Sequence, residues 1–138
     1  MNKPKARTKI IEVGGNKYRL GKMNARDASY LAMRAAAIVA PALTGGKVKM
    51  DVESVTNVLP HISRSEFDEI QTMLLRTVYL LVDANGTDMP QPILRADGAF
   101  VNDDLAYDAR AVIELTAQAL IFNVGDFFQG DGLTLKVK

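Results

Sequence analysis

The chain has 138 residues, of which 48% are hydrophobic and 24% are charged, a composition typical of a globular domain. It contains no Cys and a single His, which excludes disulfide bridges, zinc–thiolate sites, thiol nucleophiles and poly-histidine metal sites. No apolar run approaches the roughly 18 residues of a membrane span, and no apolar segment follows the basic start. We therefore expect neither a membrane protein nor a secreted one.

The net charge of +1 conceals a strong asymmetry along the chain. Residues 1–50 contain eleven basic and two acidic side chains, for a net charge of +9. Residues 51–138 contain six basic and fourteen acidic side chains, for a net charge of −8. Such a chain can pair its halves internally, self-associate head to tail through opposite charge, or present two different surfaces to partners.

The first predicted elements are a flexible basic arm over residues 1–7 and a β-hairpin. The segments Thr8–Val13 and Lys17–Leu20 contain β-branched, aromatic or alternating apolar residues that suit strands. Gly14, Gly15 and Asn16 between them tolerate the positive φ that a tight turn requires. The sequence therefore predicts a hairpin at this end of the chain.

Two helices are predicted next. Asn24 is a favourable N-cap for an alanine-rich helix over Ala25–Ala40, and Pro41 ends that helix. A shorter helix is expected over Asp51–Leu59, where Pro60 ends the pattern.

The strongest helical pattern follows a capping box formed by Ser63 and Glu66. Apolar residues then recur at three- and four-residue spacings across Phe67–Val82. The pattern predicts one long helix with a broad apolar face, ending near Asn85-Gly86.

The last third of the chain predicts a loop, a second hairpin and a final helix. Thr87–Pro92 contains two prolines and is expected to be a loop. Asp97-Gly98 between Ile93–Ala96 and Ala99–Val101 is a favoured two-residue hairpin turn. A single long helix is then expected over Asp104–Asn123.

Together these elements predict an α+β domain that is mainly helical, with about four helices and two small β-hairpins. The strand–helix alternation of a parallel sheet is missing from the pattern. The domain is expected to span residues 8–130, between the basic arm and a C-terminal tail at 131–138.

The sequence contains none of the common phosphate-binding, dinucleotide-binding, zinc-protease or serine-hydrolase motifs. We interpret His61 as a loop histidine, and Asp103 and Asp104 as charges at a helix start. The acidic segment Asp83–Asp88 lacks the glycine spacing and the bidentate glutamate of a calcium loop. We therefore predict no catalytic residue, no metal site and no cofactor.

The basic arm raises the question of nucleic-acid binding, because alternating cations can neutralise phosphates. The near-neutral total charge and the lack of a zinc-finger or RNA-binding motif favour a solvated arm or a surface for an acidic protein. We do not expect nucleic acid as a partner. The cations in question are Lys3, Lys5, Arg7 and Lys9.

Phe127 and Phe128 follow Gly125, a glycine break after the last predicted helix, so the amphipathic pattern of that helix does not explain them. They have two open interpretations. They can fold back and seal the core, or they can anchor a partner protein.

Five segments, taken in order along the chain, form a recognisable pattern. They are the Ile-Glu-Val-Gly-Gly-Asn-Lys-Tyr-Arg-Leu hairpin, the helix ending in Ala-Pro-Ala-Leu at 40–43, the acidic region over 51–83, Gly-Ala-Phe-Val-Asn-Asp-Asp-Leu at 98–105, and Asn-Val-Gly-Asp-Phe-Phe at 123–128. This order resembles the small tail assembly chaperones of tailed bacteriophages over about residues 8–130. Four residues of the last segment are the candidate partner-binding residues: Asn123, Asp126, Phe127 and Phe128.

The resemblance implies a non-enzymatic protein made during lytic growth in the cytoplasm of the bacterial host and absent from the mature virion. It implies binding to the tape measure protein, which is kept soluble, and recruitment of tail tube subunits. The broad face of Phe67–Val82, the alanine-rich helix and the Phe127-Phe128 pair are candidate surfaces for such a client.

Two other hypotheses stay open from the sequence. The chain could be a structural tail-completion or head–tail connector subunit of the virion, or a small nucleic-acid-binding phage regulator.

Overall fold

The computed structural model describes residues 7–39 and 62–125. In this part of the chain, four strands form one antiparallel sheet: β1 Thr8–Val13, β2 Asn16–Gly21, β3 Val78–Ala84 and β4 Thr87–Pro92. The strands lie in chain order, so the hairpins β1–β2 and β3–β4 are joined by pairing of β2 with β3. The same part of the chain forms four helices: α1 Ala25–Val39, α2 Arg64–Leu75, α3 Asp103–Ala106 and α4 Ala109–Val124.

Both hairpins close through two-residue turns with positive φ at each turn residue. Gly14 and Gly15 have φ of 59° and 85°, and Asn85 and Gly86 have φ of 55° and 82°. Such turns match the twist of the strands they join, and they favour Gly and Asn at these positions. The hairpin predicted over β1 and β2 is confirmed.

The prediction of a mainly helical domain with two small hairpins is wrong, because the long helix expected over Phe67–Val82 ends at Leu75. The Thr77 hydroxyl donates to the Leu74 carbonyl at 2.6 Å and satisfies one of the free carbonyls at the helix end. The run from Thr77 to Val82 is rich in β-branched and aromatic residues, which fit a pleated sheet better than a helix. The chain therefore changes from helix to strand in the middle of the predicted helix.

Thr87–Pro92, which was expected to be a loop, is strand β4 at the edge of the sheet. An edge strand accepts proline because one side of its backbone needs no pairing. The hairpin expected over residues 93–101 is reduced to one isolated bridge between Leu94 and Phe100.

The single helix expected over Asp104–Asn123 is interrupted at Tyr107, which separates α3 from α4. The Asp108 carboxylate caps α4 by accepting a hydrogen bond from the Ala111 N–H at 3.1 Å. Asn102 caps α3 in the same way. Two short-range N-caps, Asn102 and Asp108, therefore begin two helices where one was predicted.

The predicted N-caps of the first two helices are confirmed. The Asn24 side chain accepts from the Asp27 N–H at 2.9 Å at the start of α1. The Ser63 hydroxyl accepts from the Glu66 N–H at 3.1 Å at the start of α2. Each cap satisfies a backbone donor that the helix leaves without a partner.

The helices cover one face of the sheet, and the core lies between the two layers. Leu20, Leu74 and Leu115 have 0% exposure and come from β2, α2 and α4. Tyr18 lies in the same core, and its burial raises the pKa of the phenol above its usual value of 10.0. The buried Thr116 hydroxyl donates to the Val112 carbonyl at 2.7 Å.

Several predictions lie outside the described residues. They are the helix over Asp51–Leu59, the assignment of His61, most of the basic arm over residues 1–7, and the tail at 131–138. The domain bounds 8–130 therefore stay a prediction. Within residues 7–39 and 62–125, no helix is long and apolar enough to cross a membrane, and no group of His, Cys, Asp and Glu could hold a metal ion.

Candidate functional site

The predicted partner site begins at the end of α4, which is fastened to the segment joining β2 to α1. The Asn123 amide oxygen accepts from the Met23 N–H at 2.8 Å. Its amide nitrogen donates to the carbonyls of Gly21 at 3.3 Å and Ala119 at 2.9 Å. The Asn123 side chain therefore connects α4 to the end of β2 and to the residues that follow it.

A basic side chain reinforces this junction. The Lys22 ammonium donates to the Phe122 carbonyl and lies 4.2 Å from the centroid of the Phe122 ring. A cation over an aromatic face is attracted by the electron density of the ring. The end of α4 therefore carries both polar and cation–π contacts to the segment after β2.

The other three predicted site residues, Asp126, Phe127 and Phe128, lie outside the described residues. They follow Gly125, the C-cap of α4, which is buried. Their role in partner binding stays a prediction. Of the four predicted site residues, the structure describes Asn123 alone, in contact with the end of β2 and the segment that joins β2 to α1.

A second candidate surface is the face of the sheet that points away from the helices, here called the open face. Side chains alternate between the two faces of a strand, and Tyr18 and Leu20 point into the core. The intervening residue Arg19 therefore lies on the open face. Cross-strand register places Ile10 beside Arg19, Arg19 beside Tyr79, and Tyr79 beside Pro92.

The open face combines apolar and charged side chains. Ile10 is 61% exposed, and Tyr79 and Leu81 are half-buried. Pro90 pairs with Leu81 and Pro92 pairs with Tyr79, so the apolar residues adjoin each other on β3 and β4. Isolated exposed apolar residues are ordinary on a protein surface, but adjoining ones are typical of a binding surface.

Arg19 supplies a polar group at the centre of this face. Its guanidinium carbon lies 5.0 Å from the centroid of the Tyr79 ring, so the two side chains stack. The Nε atom of Arg19 is buried and makes no hydrogen bond among the described residues. A bound partner with a carbonyl or carboxylate oxygen at this point would satisfy that donor.

Charge is distributed unevenly across the open face. Lys17 and Arg19 lie on β2, and Glu12 pairs with Lys17 across the β1–β2 ladder. At the far end of the sheet, Asp83 and Asp88 lie directly opposite each other on β3 and β4. Asp83 accepts a hydrogen bond from the Gly86 N–H at 3.0 Å, and this end of the open face is acidic.

The basic and acidic halves of the chain also meet internally. Arg34 of α1 forms an ion pair with Glu66 of α2. The Tyr30 hydroxyl of α1 donates to the Glu69 carboxylate of α2 at 3.1 Å. Part of the charge asymmetry is therefore used to bring α1 and α2 together.

The helical client surfaces expected from the sequence contribute several residues to the core. Ile70 and Leu74 of α2 are buried, and so are Leu31 and Ala32 of α1. The broad helical face over Phe67–Val82 does not exist, because its second half is strand β3. The surface that replaces it was missed from the sequence because Tyr79 and Leu81 were assigned to a helix.

The comparison with protein families decides the relationship. Residues 14–134 match the family described as phage tail assembly chaperone protein, TAC. The chain belongs to the phage tail assembly chaperone family. No curated protein and no solved structure matches the chain.

The family match covers most of the residues that form the two candidate surfaces of this tail assembly chaperone. It begins at the turn of the first hairpin, so it includes β2, β3, β4 and all of the helices described above. It also includes the segment at 123–128 that contains the predicted partner-binding residues. Strand β1 lies before its start.

Proposed function

We propose that this chain is a non-enzymatic chaperone that binds the tape measure protein, keeps it soluble and helps to recruit tail tube subunits. On this proposal the protein acts in the cytoplasm of the bacterial host and is left out of the mature virion. The observation that carries the proposal is the family match over residues 14–134.

The open face adds a physical basis for client binding. A long helical client exposes apolar stripes that aggregate unless another apolar surface covers them. Ile10, Tyr79 and Leu81 supply apolar surface on the side of the sheet opposite the helices, and Arg19 lies between Ile10 and Tyr79. Laying the apolar face of a helix on such a surface is a common mode of peptide recognition.

Coexpression tests the proposal. The tape measure protein of the same phage should be recovered mainly in the soluble fraction when it is made with this chain, and mainly in the pellet when it is made alone. Replacing Ile10 and Leu81 by Ser should reduce the soluble fraction, because the substitutions remove apolar contact area without adding charge.

A matched control is available on the helical side of the molecule. Tyr107 is 91% exposed between α3 and α4, so Tyr107→Ser also removes exposed apolar surface and should leave client solubility unchanged. A client that stays in the pellet with the wild-type chain contradicts the proposal. Recovery of the chain as rings in purified virions would favour a structural subunit, and retention on DNA with a steep salt dependence would favour a nucleic-acid-binding regulator.

A further inference from the structure

The two edges of the sheet differ in their ability to pair with another strand. In an antiparallel ladder, hydrogen-bonded residue pairs alternate with pairs whose backbone groups point away. The Lys22 N–H donates to the Arg7 carbonyl at 3.0 Å, which fixes the alternation between β1 and β2. The residues of β1 whose N–H and C=O groups point away from β2 are therefore Thr8, Ile10 and Glu12.

The opposite edge is protected by proline. The two-residue turn makes Ala84 and Thr87 a hydrogen-bonded pair, so the outward positions of β4 are Asp88, Pro90 and Pro92. Proline has no N–H, so two of the three outward positions on β4 cannot donate to an added strand. Natural sheets use proline in this way to prevent pairing at an edge.

Strand β1 carries no such protection. None of its outward residues is proline, and Thr8, Ile10 and Glu12 are all exposed. In the part of the chain that the structure describes, β1 pairs with β2 alone. Among residues 7–39 and 62–125, the outward donors and acceptors of β1 therefore have no strand partner.

The charge around this edge selects the type of partner. The β1–β2 hairpin and the residue before it carry Arg7, Lys9, Lys17 and Arg19 against the single acid Glu12. Two copies paired through β1 would bring two hairpins of net positive charge together, which opposes self-pairing. An acidic segment would be attracted instead.

We propose that β1 binds an extended, acidic segment of another protein as a fifth strand of the sheet. An apolar residue of the added strand lies beside Ile10 on the open face, and an acidic residue lies beside Lys9 on the opposite face, because successive side chains alternate. This inference rests on the proposed function, since it describes how a segment of a client or a tail subunit is held.

A synthetic peptide tests the inference with the full-length chain. The probe is a fluorescein-labelled Val-Glu-Val-Glu-Val-Glu peptide, and its binding is measured by fluorescence anisotropy. The corresponding Val-Lys peptide should bind at least about tenfold more weakly, because it repels the basic edge. Hydrogen exchange by NMR should show slowed exchange at the amides of Thr8, Ile10 and Glu12 when the acidic peptide is bound.

Proline substitution isolates the backbone contribution. Ile10→Pro removes an outward N–H and leaves the inward ladder groups of Lys9 and Ile11 in place, so peptide affinity should fall at least about tenfold. Ile10→Ala keeps the N–H and should retain more affinity than Ile10→Pro. Asp88→Pro makes the same change at an outward position of the other edge and should leave binding unchanged.

The backbone contribution can also be tested with the wild-type protein, in case Ile10→Pro disturbs folding. N-methylation of alternate peptide residues removes the N–H donors along one edge of the peptide. Methylation of the edge that faces β1 should abolish binding, and methylation of the opposite edge should not. The inference would be overturned if the wild-type chain did not bind the acidic peptide, or if both methylated peptides bound equally well. It would also be overturned if Ile10→Pro bound the peptide as tightly as the wild type, or if binding slowed exchange at other amides instead of those of Thr8, Ile10 and Glu12.

The outcomes also separate this inference from the proposed function. If the chain solubilises the tape measure protein but the acidic peptide does not protect the three β1 amides, strand addition is contradicted and the proposed function stands. A chain that binds the peptide through those amides but leaves the client insoluble contradicts the proposed function and supports strand addition.

Discussion

Replacing Leu20 by Ala is expected to lower the free energy of unfolding by about 2–5 kcal/mol. Leu20 has 0% exposure and lies between Lys9 and Val78 in the ladder, on the face that the helices cover. Truncation removes buried methyl groups and leaves a cavity where the central strand meets the helical layer. Urea unfolding followed by circular dichroism measures the loss.

Ile10→Ala is the matched control for this prediction. Ile10 is also an aliphatic strand residue, but it lies on the open face and is 61% exposed. Its replacement should change the free energy of unfolding by no more than about 0.5 kcal/mol. Similar losses for Leu20→Ala and Ile10→Ala would contradict the assignment of the two faces of the sheet.

Asn123→Ala is expected to lower the free energy of unfolding by about 1–3 kcal/mol. The substitution removes the acceptor of the Met23 N–H and the donor to the carbonyls of Gly21 and Ala119. These groups are partly buried, so water replaces the lost hydrogen bonds only in part. Thermal and urea unfolding of the purified variant measure the effect.

Phe127→Ala and Phe128→Ala test the other part of the predicted partner site. If the aromatic pair anchors a partner, these variants should lose client binding while the melting temperature stays at the wild-type value. A large fall in the melting temperature would instead place the pair in the core.

An Asn123→Ala variant that unfolds like the wild type would contradict the structural role of Asn123 at the end of α4.

The sequence predicted the local features that depend on a few neighbouring residues. The Gly14-Gly15 turn and the caps at Asn24 and Ser63 each follow from side-chain or backbone chemistry within about four residues. Such interactions need no information about the rest of the fold. They were therefore predicted correctly.

The β3–β4 hairpin could not be derived from periodicity because two patterns overlap at this point. Apolar residues at helical spacing continue from α2 through Val78 and Leu81, so the helical pattern hides the end of the helix. The β-rich composition from Thr77 to Val82 and the Asn85-Gly86 pair that follows are the signals that favour a hairpin. Pairing of β3 with β2 then decides between the two patterns through tertiary contacts.

The prolines of β4 made this strand look like a loop in the sequence. Pro90 and Pro92 favour a loop when the sequence is considered alone. Their outward positions on an edge strand become evident only when the register with β3 is known. For the same reason, the open face could not be found from the sequence, because it consists of residues from strands far apart in the chain.

We propose that this tail assembly chaperone acts by covering apolar surface of a client. Light scattering by purified tape measure protein, diluted from denaturant with increasing amounts of the chain, measures this most directly. Scattering should fall to baseline at a fixed molar ratio with the wild-type chain, and at a higher ratio with the Ile10→Ser and Leu81→Ser double variant. Undiminished scattering at every ratio would contradict the claim.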